Sequence, residues 1–330
     1  MLQLLEPRSA AAMLPAVLVL ALASCGGSPP EPEVAAEGAP EVQVPVRTAD
    51  PFRRGLTEAD FPRTRELTPG VWSYEQLRSA GEELFTTVSL FVVTEEGVLV
   101  ADGQGNFEET ALMVEEIGKI TDQPITHVVV CSDHGDHTAG NGAFPEGVEF
   151  ILHENSAPAM EALVERIEGV PMPGTIIGDR MDLTLGGRTI EILFLGRAHT
   201  GGDLMVHLPE ESVVFLSEAY LHRVFPAMRS AYPREWVVAL RRAQELGAHW
   251  NVPGHGFVDD ADVLAEELET AIEAIETVIA ESSRLHQQGL SVEEAIAAAD
   301  FGDLETWSLR DSQRGTALAR VFMELDDALP

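Results

Sequence analysis

The sequence predicts an α/β fold in which short buried strands alternate with amphipathic helices. Three observations support this prediction: apolar runs of strand length recur in both halves of the chain, helical periodicity appears between them, and glycine-rich or acidic turns separate the elements. At 330 residues, of which 45% are hydrophobic, the chain is long enough for one sizeable domain or for two halves that share a core.

The first half of the chain shows a clear order of elements. Strand patterns at residues 67–73 and 86–93 precede a turn, a further strand at 98–101 and a helix at 108–117. The strand that contains His127 comes next, and a strand at 148–152 and a helix at 156–167 follow it. Residues 171–187 are rich in proline and glycine, which predicts a loop.

The second half continues the alternation. Strand patterns end just before residues 196, 218 and 255, and a helix is predicted at 236–246. From residue 263 the apolar residues keep a period of about 3.6, which predicts a long amphipathic helix that Gly289 closes. Ser291 and Glu294 have the spacing of a capping box that opens another helix, and a last helix is predicted at 316–325.

The most informative stretch is residues 128–141, where a buried strand ends at a polar cluster. Residues 133–137 (Asp-His-Gly-Asp-His) hold two histidines and two aspartates. Burying these groups is costly unless a cation offsets it. Imidazole nitrogen and carboxylate oxygen suit zinc or a similar first-row divalent ion. The stretch therefore predicts a metal site, and the plainer alternative is a solvated polar loop.

Two further histidines stand at strand ends beside glycines. Residues 196–203 (Gly-Arg-Ala-His-Thr-Gly-Gly-Asp) contain His199, and residues 252–256 (Val-Pro-Gly-His-Gly) contain His255. Glycine lets backbone and ligand approach a metal closely. Together with the first cluster, these motifs resemble the metallo-β-lactamase superfamily, whose members carry His-x-His-x-Asp-His, Gly-x-x-His-Thr-x-Gly-Asp and Gly-His-Gly in this order. The resemblance covers roughly residue 67 to the C-terminus.

The resemblance implies a four-layer αββα sandwich with metal bound at strand ends between the two sheets. It also implies two metal sites. The second site would use Asp136, His137 and His255, all of which are present. The first site would use the residues at 132, 134 and 199, of which His134 and His199 remain. Zinc is the expected ion, as one ion per chain or as two, and iron is the alternative.

The chain departs from the family pattern at two of these positions. Ser132 stands where the family has a histidine, and Glu218 stands where many members have an aspartate that bridges two metals. Glu218 keeps the carboxylate with one more methylene, and Ser132 or Asp133 is a candidate for a substitute oxygen ligand. Asp102 and Asp203 resemble the family residues that hold ligand loops by hydrogen bonds, with turn and capping roles as the alternative.

A targeting segment precedes the domain. Residues 14–23 form a continuous apolar run that is too short to span a membrane but typical of a signal-peptide core. Residues 22–25 (Leu-Ala-Ser-Cys) are similar to a bacterial lipobox. The sequence predicts a lipoprotein signal peptide at 1–24 and lipidation of Cys25, which would anchor the protein to an extracytoplasmic membrane face, that of the outer membrane where one is present. Cleavage without lipidation and a start at Met13 are the alternatives.

The rest of the chain divides into a tether and a domain. Residues 25–57 are rich in Pro, Glu, Ala and Gly without a sustained period, which predicts a disordered tether. Residues 58–330 then form the metallo-β-lactamase-like domain with its C-terminal helices. The chain has two cysteines, so lipidation of Cys25 leaves Cys131 without a disulfide partner. Strand alternation predicts that the Cys131 side chain is buried and points away from Ser132.

The charge of the chain excludes one class of function. The formal net charge is −34, with 55 acidic against 21 basic residues. A protein that processes nucleic acid needs basic surface to hold the phosphate backbone, and this chain lacks it. Such acidity favours solubility, including at high salt. The expected partners are a small-molecule substrate and, through the lipid, a membrane; the oligomeric state stays open.

The resemblance implies a hydrolase in which a metal-bound hydroxide attacks a small ester, lactone, thioester or amide, β-lactams included. Asp136 would be the catalytic residue that orients the nucleophile and passes on its proton. The alternative is a non-catalytic lipoprotein that binds metal or ligand on the same fold, with Ser132 as the sign of lost activity. An iron-dependent oxidoreductase is a third hypothesis, although the chain has no glycine-rich dinucleotide fingerprint.

Two segments near the predicted site have two readings each. The loop at 171–187 either walls the active-site cleft or is a plain connector. Residues 219–229 include Arg223 and Arg229, which either contact substrate or pair with local acidic residues. His222 would be a further metal ligand only if its segment is helical, since it stands one helical turn after Glu218.

Overall fold

Twelve strands and seven α-helices order residues 46–330, the part of the chain that the computed structural model describes. The predicted signal peptide, Cys25 and the first part of the predicted tether lie outside these residues. No helix within residues 46–330 is long and apolar enough to cross a membrane.

Most strands and helices lie where the apolar patterns predict them. The strands are β1 (Arg63–Thr68), β2 (Val71–Ala80), β3 (Glu83–Thr94), β4 (Gly97–Ala101), β5 (Ile125–Val130), β6 (Glu149–His153), β7 (Thr175–Ile177), β8 (Arg180–Leu185), β9 (Arg188–Leu193), β10 (Met205–Leu208), β11 (Val213–Leu221) and β12 (Trp250–His255). The helices are α1 (Phe107–Ile120), α2 (Gly135–Thr138), α3 (Ala157–Arg166), α4 (Pro233–Glu245), α5 (Ala261–Gln287), α6 (Val292–Ala298) and α7 (Arg310–Leu325). The capping box that opens α6 is present at Ser291 and Glu294.

The strands form two halves that join at one point. Their order is β7-β6-β5-β4-β3-β12-β11-β10-β9-β8, and β2 pairs with both β3 and β1. Strands β4 to β7 are mutually parallel, as are β11 and β12. The halves meet where His255 of β12 pairs with Thr87 of β3. The predicted metal-ligand histidine at 255 therefore stands at the junction of the two halves.

Side-chain alternation along β5 shows how the layers are built. Val128 and Val130 pack with Met113 of α1 and Leu163 of α3 in an outer core. Cys131 points the other way, into a central core that also contains residues of β9 to β12 and of α4, α5 and α7. Because successive strand residues face opposite sides, each half of the sheet has one face under helices and one face toward the other half. The predicted αββα sandwich and the burial of Cys131 are confirmed.

Three sequence-based assignments were wrong in detail. The strand predicted at 67–73 is interrupted at Pro69 and Gly70, where the chain turns from β1 into β2 with Gly70 at φ +80°. The loop predicted at 171–187 contains β7 and β8, and β8 pairs with β9 along its whole length. The last helix begins at Arg310, six residues before the predicted start at 316. Strand β10 was not predicted from the sequence.

The end of the tether was also placed too late. Residues 46–57 pack against the domain: Ala49 is fully buried, and Arg47 donates to Glu267 at 3.0 Å. Arg54 donates to both carboxylate oxygens of Asp259, at 2.7 and 2.9 Å. The composition of this segment gave no apolar period because ion pairs, rather than an apolar face, hold it in place.

Candidate metal centre

Six predicted ligand side chains converge where the two halves of the sheet meet. The β5–α2 turn carries His134, Asp136 and His137, the loop after β9 carries His199, and β11 and β12 carry Glu218 and His255. Their ring nitrogens and carboxylate oxygens form two groups, and the atoms within each group lie within 4.8 Å of one another. The groups are Asp136, His137, Glu218 and His255, and His134, His199 and Glu218.

The first group contains two histidines and one carboxylate. His134 Nδ1 lies 2.9 Å from Glu218 Oε2, and His199 Nε2 lies 3.2 Å from Glu218 Oε1. The two ring nitrogens are 3.2 Å apart. Glu218 thus completes a three-residue set at the position that the sequence suggested was depleted.

The second group gathers around His255. Its Nε2 lies 3.2 Å from Asp136 Oδ2, 3.1 Å from Glu218 Oε1 and 3.4 Å from His137 Nε2. Because Glu218 Oε1 faces His199 in the first group and His255 in the second, the carboxylate of Glu218 is shared by both groups.

Ser132 explains why Glu218 reaches this place. The Ser132 hydroxyl donates to Glu218 Oε2 and so holds the carboxylate. The backbone of β12 also lies very close to the strand that carries Glu218. A Cβ on Gly254 would lie 2.3 Å from the Ser217 carbonyl carbon, so only glycine fits there. Asp133 belongs to neither ligand group, and the Ser132 hydroxyl contacts the site through the carboxylate of Glu218.

Asp102 holds the loop that carries the first motif. Its Oδ1 accepts hydrogen bonds from the backbone N–H groups of Cys131 at 2.7 Å and of Ser132 at 3.3 Å. Its Oδ2 lies 3.0 Å from His137 Nδ1 and accepts from the Ser217 hydroxyl. Asp102 therefore contacts the loop, a histidine of the second group and the strand of Glu218 at once, in a backbone conformation with φ 63°.

Asp203 shapes the loop that carries His199. Its carboxylate accepts from the Thr200 backbone N–H and from the Thr200 hydroxyl, both at 2.7 Å. Burial raises the pKa of Asp203 to about 7. Asp203 lies in neither ligand group and acts on the turn next to His199.

Burial and the shared carboxylate set the protonation of the histidines. Burial alone would lower the pKa of His134, but the Glu218 carboxylate beside it raises the value to about 9. Burial would also lower the pKa of His255, but Asp136 and Glu218 raise it to about 10. In return, the histidines hold the pKa of Glu218 well below its usual range although burial would raise it. The carboxylates thus attract positive charge to the ring nitrogens, as proton or as metal ion.

A cavity of about 330 Å³ lies above the two groups. Its floor includes His134, Asp136, His199, Glu218 and His255, and its walls are Ala80, Phe85, Leu221, Val224, Ala227, Arg229, Leu309, Ser312, Gln313 and Thr316. Residues 171–187 contribute nothing to this lining, so the cleft-wall interpretation of that segment was wrong. The residues from 309 to 316 carried no signal in the sequence, because the packing of α7 brings them to the site.

The residues after Glu218 have different surroundings: some pack within the protein and others line the cavity. Arg223 pairs with Glu267 of α5, whereas Arg229 lines the cavity. His222 lies in the turn after β11 rather than in a helix, its Nδ1 is 2.7 Å from the Phe257 carbonyl oxygen, and it belongs to neither ligand group. The interpretation of His222 as a ligand is therefore not supported.

The fold and the site together define the class of protein: the chain has the metallo-β-lactamase fold, with histidines and carboxylates gathered where the two halves of the sheet meet beneath a cavity. No protein-family model matches the chain. The relatives and solved structures to which it is similar include metallo-hydrolases.

One such relative is the metallo-β-lactamase type 2 of Bacillus cereus, which is 23% identical over 210 residues, or 62% of this chain and 80% of that protein. Among solved structures, a metallo-β-lactamase from Pontibacter korlensis matches with a TM-score of 0.58 and 21% identity, over 65% of this chain and 99% of that one. A double mutant of the sec-alkyl sulfatase PisA1 matches with a TM-score of 0.62 and 13% identity, over 81% of this chain and 50% of that one. At these identities the structural matches establish the fold alone.

Proposed function

We propose that this protein is a zinc-dependent hydrolase of a small ester, lactone, thioester or amide, with β-lactams among the candidate amides. The observation that carries the proposal is the place of Glu218. Its carboxylate reaches both histidine groups on the floor of the cavity, so the histidine missing at position 132 leaves neither group without three possible ligands.

The donor set fits zinc. Both groups combine imidazole nitrogen with carboxylate oxygen, which are ligands that zinc accepts. His255 Nδ1 lies 2.8 Å from the Thr86 carbonyl oxygen, so Nδ1–H donates there and Nε2 keeps its lone pair for a metal. Asp102 beside His137 Nδ1 supports the same assignment for that ring. Asp136, His137 and His255 would hold one ion, His134 and His199 a second, and Glu218 would bridge them.

Zinc in such a site supplies a Lewis acid that polarises a carbonyl group and lowers the pKa of water to about 7. The protein residues position the reactants. The hydrogen bond with His255 is among the causes that lower the pKa of Asp136, against the opposing effect of burial, so this carboxylate stays ionised and accepts a hydrogen bond from water. Asp136 would therefore orient the water. Phe85, Leu221 and Val224 give the cavity an apolar wall for the acyl part of the substrate.

Elemental analysis and a hydrolysis screen test the proposal. The full-length protein, solubilised in detergent and loaded with zinc, is expected to bind about two ions per chain and to hydrolyse at least one member of a panel of esters, thioesters, lactones and β-lactams. About one ion with turnover would support a single-metal enzyme and contradict the bridging role of Glu218. Bound zinc without turnover would favour the non-catalytic lipoprotein, and a preference for iron would favour redox chemistry.

A further inference from the structure

We propose that a second, smaller cavity binds a free tetrahedral oxyanion, of which inorganic phosphate and sulfate are the simplest. The inference does not depend on the proposed hydrolase function, because this cavity shares no lining residue with the cavity above the candidate metal centre. Three segments form it: the one before β1, the turn after β11 and the one before α7. The lining residues are Arg47, Thr48, Arg53, Arg223, Thr306 and Trp307.

The charge of this lining is unusual for the chain. It contains three guanidinium groups and no carboxylate, whereas the whole chain has 55 acidic and 21 basic residues. The nearby Asp50 lies outside the lining, and its Oδ1 accepts from the backbone N–H groups of Phe52 and Arg53 at 2.8 and 3.2 Å. Because like charges repel at short distance, guanidinium groups gathered around one cavity favour an anion between them.

The three guanidinium groups keep N–H donors for a ligand. Arg53 is exposed and makes no ion pair with any residue from 46 to 330. Arg223 donates to Glu267 through Nε and Nη2, which leaves Nη1 without a partner among the described residues. Arg47 donates through Nη1 and Nη2 to Glu267 and Glu266, which leaves its Nε in the same state. Glu267 thus holds two guanidinium groups without using all of their donors.

The buried Thr48 adds a hydroxyl donor to the lining. Thr48 is 5% exposed, and its Oγ1 accepts from the Asp50 backbone N–H at 3.2 Å, so its own O–H stays free to donate. Arg54 Nε donates to the Thr48 carbonyl at 2.6 Å and holds this residue in place. Arg223 is held as well, since its guanidinium carbon lies 5.1 Å from the Trp307 ring centroid. Side chains fixed by other contacts are what a binding site requires.

The size of the cavity and its donors indicate the ligand. Its volume is about 40 Å³, which is room for roughly three water-sized groups at roughly 10–15 Å³ each. This space suits the oxygens of one small oxyanion and is too small for a large organic anion. Guanidinium groups bind such oxygens through paired N–H donors. A bound oxyanion would join residues 47–53 to Arg223 and to the segment before α7, and so stabilise the folded domain.

Calorimetric titration with inorganic phosphate tests the site. The full-length, zinc-loaded protein in detergent is expected to bind phosphate with a Kd of about 1 mM or below. Arg53→Gln should weaken this binding about tenfold, the value of one charge-assisted hydrogen bond, and Arg53→Lys should keep part of it. Thr48→Val should also weaken it. Arg166→Gln is the matched control, because Arg166 is also exposed and lies outside the lining.

Repeating the titration after removal of zinc separates this cavity from the metal centre. Binding that persists without zinc and that Arg53→Gln weakens would support the proposal. Binding that disappears with the zinc, binding of equal strength in wild type and Arg53→Gln, or no binding at about 10 mM phosphate would overturn it.

Thermal unfolding gives an independent measurement. Phosphate should raise the unfolding midpoint more in wild type and in Arg166→Gln than in Arg53→Gln, because a ligand that binds the folded state stabilises it by mass action. A rise of equal size in all three proteins would be the general effect of the salt on protein surfaces, and it would overturn the site.

Discussion

At the scale of single residues, Ser132 and Glu218 form a compensating pair. The family pattern has a larger ligand at position 132 and a shorter carboxylate at position 218. Here the serine leaves room, and the additional methylene of Glu218 carries the carboxylate to His134 while the Ser132 hydroxyl holds it. The two departures together give the first group its third side chain, the carboxylate of Glu218.

This compensation predicts the behaviour of reciprocal variants. Glu218→Asp shortens the side chain by one C–C bond, about 1.5 Å, so the carboxylate should lose one histidine group and zinc content should fall from about two ions to about one. Adding Ser132→His should restore the second ion, whereas Ser132→His alone should not increase zinc content because Glu218 occupies the space. Elemental analysis of the four proteins measures this, and unchanged zinc content in Glu218→Asp would contradict the shared ligand.

Asp102 predicts an effect on metal affinity without direct coordination. Asp102→Asn keeps the shape but removes the charge beside His137 Nδ1 and weakens the bonds to the Cys131 and Ser132 backbone. Loss of such an outer hydrogen-bond partner costs about 10- to 100-fold in metal affinity. Competition with a chelating dye measures it, and Asp182→Asn, an exposed change on β8, serves as control. An affinity equal to that of wild type would mean that Asp102 only shapes the loop.

The sequence located the side chains of the candidate site but not their contacts. Histidines beside glycines at strand ends predicted which side chains converge, because strand ends and residue chemistry are local properties. The hydrogen bond between Ser132 and Glu218 joins residues 86 positions apart, and no local pattern contains it.

At the scale of elements, the segment at 46–65 acts as a clasp over the loop that follows His255. Arg54 binds Asp259 and its guanidinium lies 4.2 Å from the Phe257 ring centroid. Arg65 donates to the Val258 carbonyl at 3.1 Å. Because Phe257 and Val258 come directly after the metal motif, the clasp supports the loop next to His255. The sequence assigned part of this clasp to the tether, since charged residues without an apolar period do not reveal tertiary ion pairs.

The clasp predicts a pH-dependent contribution to stability at Glu267. This carboxylate accepts from Arg223 at 2.7 Å and from Arg47 at 3.0 Å. Burial would raise the pKa of Glu267, but the hydrogen bonds and charges of Arg223, His222 and Arg47 together outweigh it and lower the pKa below 4.5. Because the pKa of Glu267 is lower in the folded than in the unfolded protein, its ion pairs stabilise the fold fully at pH values above the unfolded-state pKa. This stabilisation is lost as the pH falls through the folded-state pKa.

Glu267→Gln should therefore lower the free energy of unfolding by about 2 kcal/mol at pH 7, with a smaller difference from wild type below about pH 4. Urea denaturation at both pH values measures it. The matched control is Glu266→Gln, which removes the exposed partner of the same Arg47 and should cost less than about 1 kcal/mol. An equal loss at both pH values would show that packing, rather than charge, gives Glu267 its role.

At the scale of the whole molecule, the layers were predictable and the cavity was not. Apolar runs of strand length with helices between them define an αββα sandwich, because each strand must bury both faces. The cavity walls come from the ends of β2 and β11, from β3, from the loop after β11 and from the start of α7. Phe85 and Thr316 of this lining are more than 200 residues apart in the sequence and meet only in the folded protein. The apolar pattern predicted α7, but its contact with the site depends on Arg320 and on the Glu83 carboxylate that accepts from the Leu309 backbone N–H at 2.8 Å.

Membrane attachment is the remaining prediction for the whole molecule, and we propose that it depends on Cys25. Residues 14–23 have the apolar length of a signal-peptide core, and the small residues before Cys25 suit a lipoprotein signal peptidase. Under this proposal the lipid on Cys25 is the membrane anchor, so replacement of Cys25 should release the protein. In cell fractionation, wild-type protein is expected with membranes and Cys25→Ser in the soluble fraction, whereas Cys131→Ser, at the chain's other cysteine, should stay with membranes. Cys25→Ser that remains membrane-bound after a high-salt wash would show that the attachment does not use lipid at this residue.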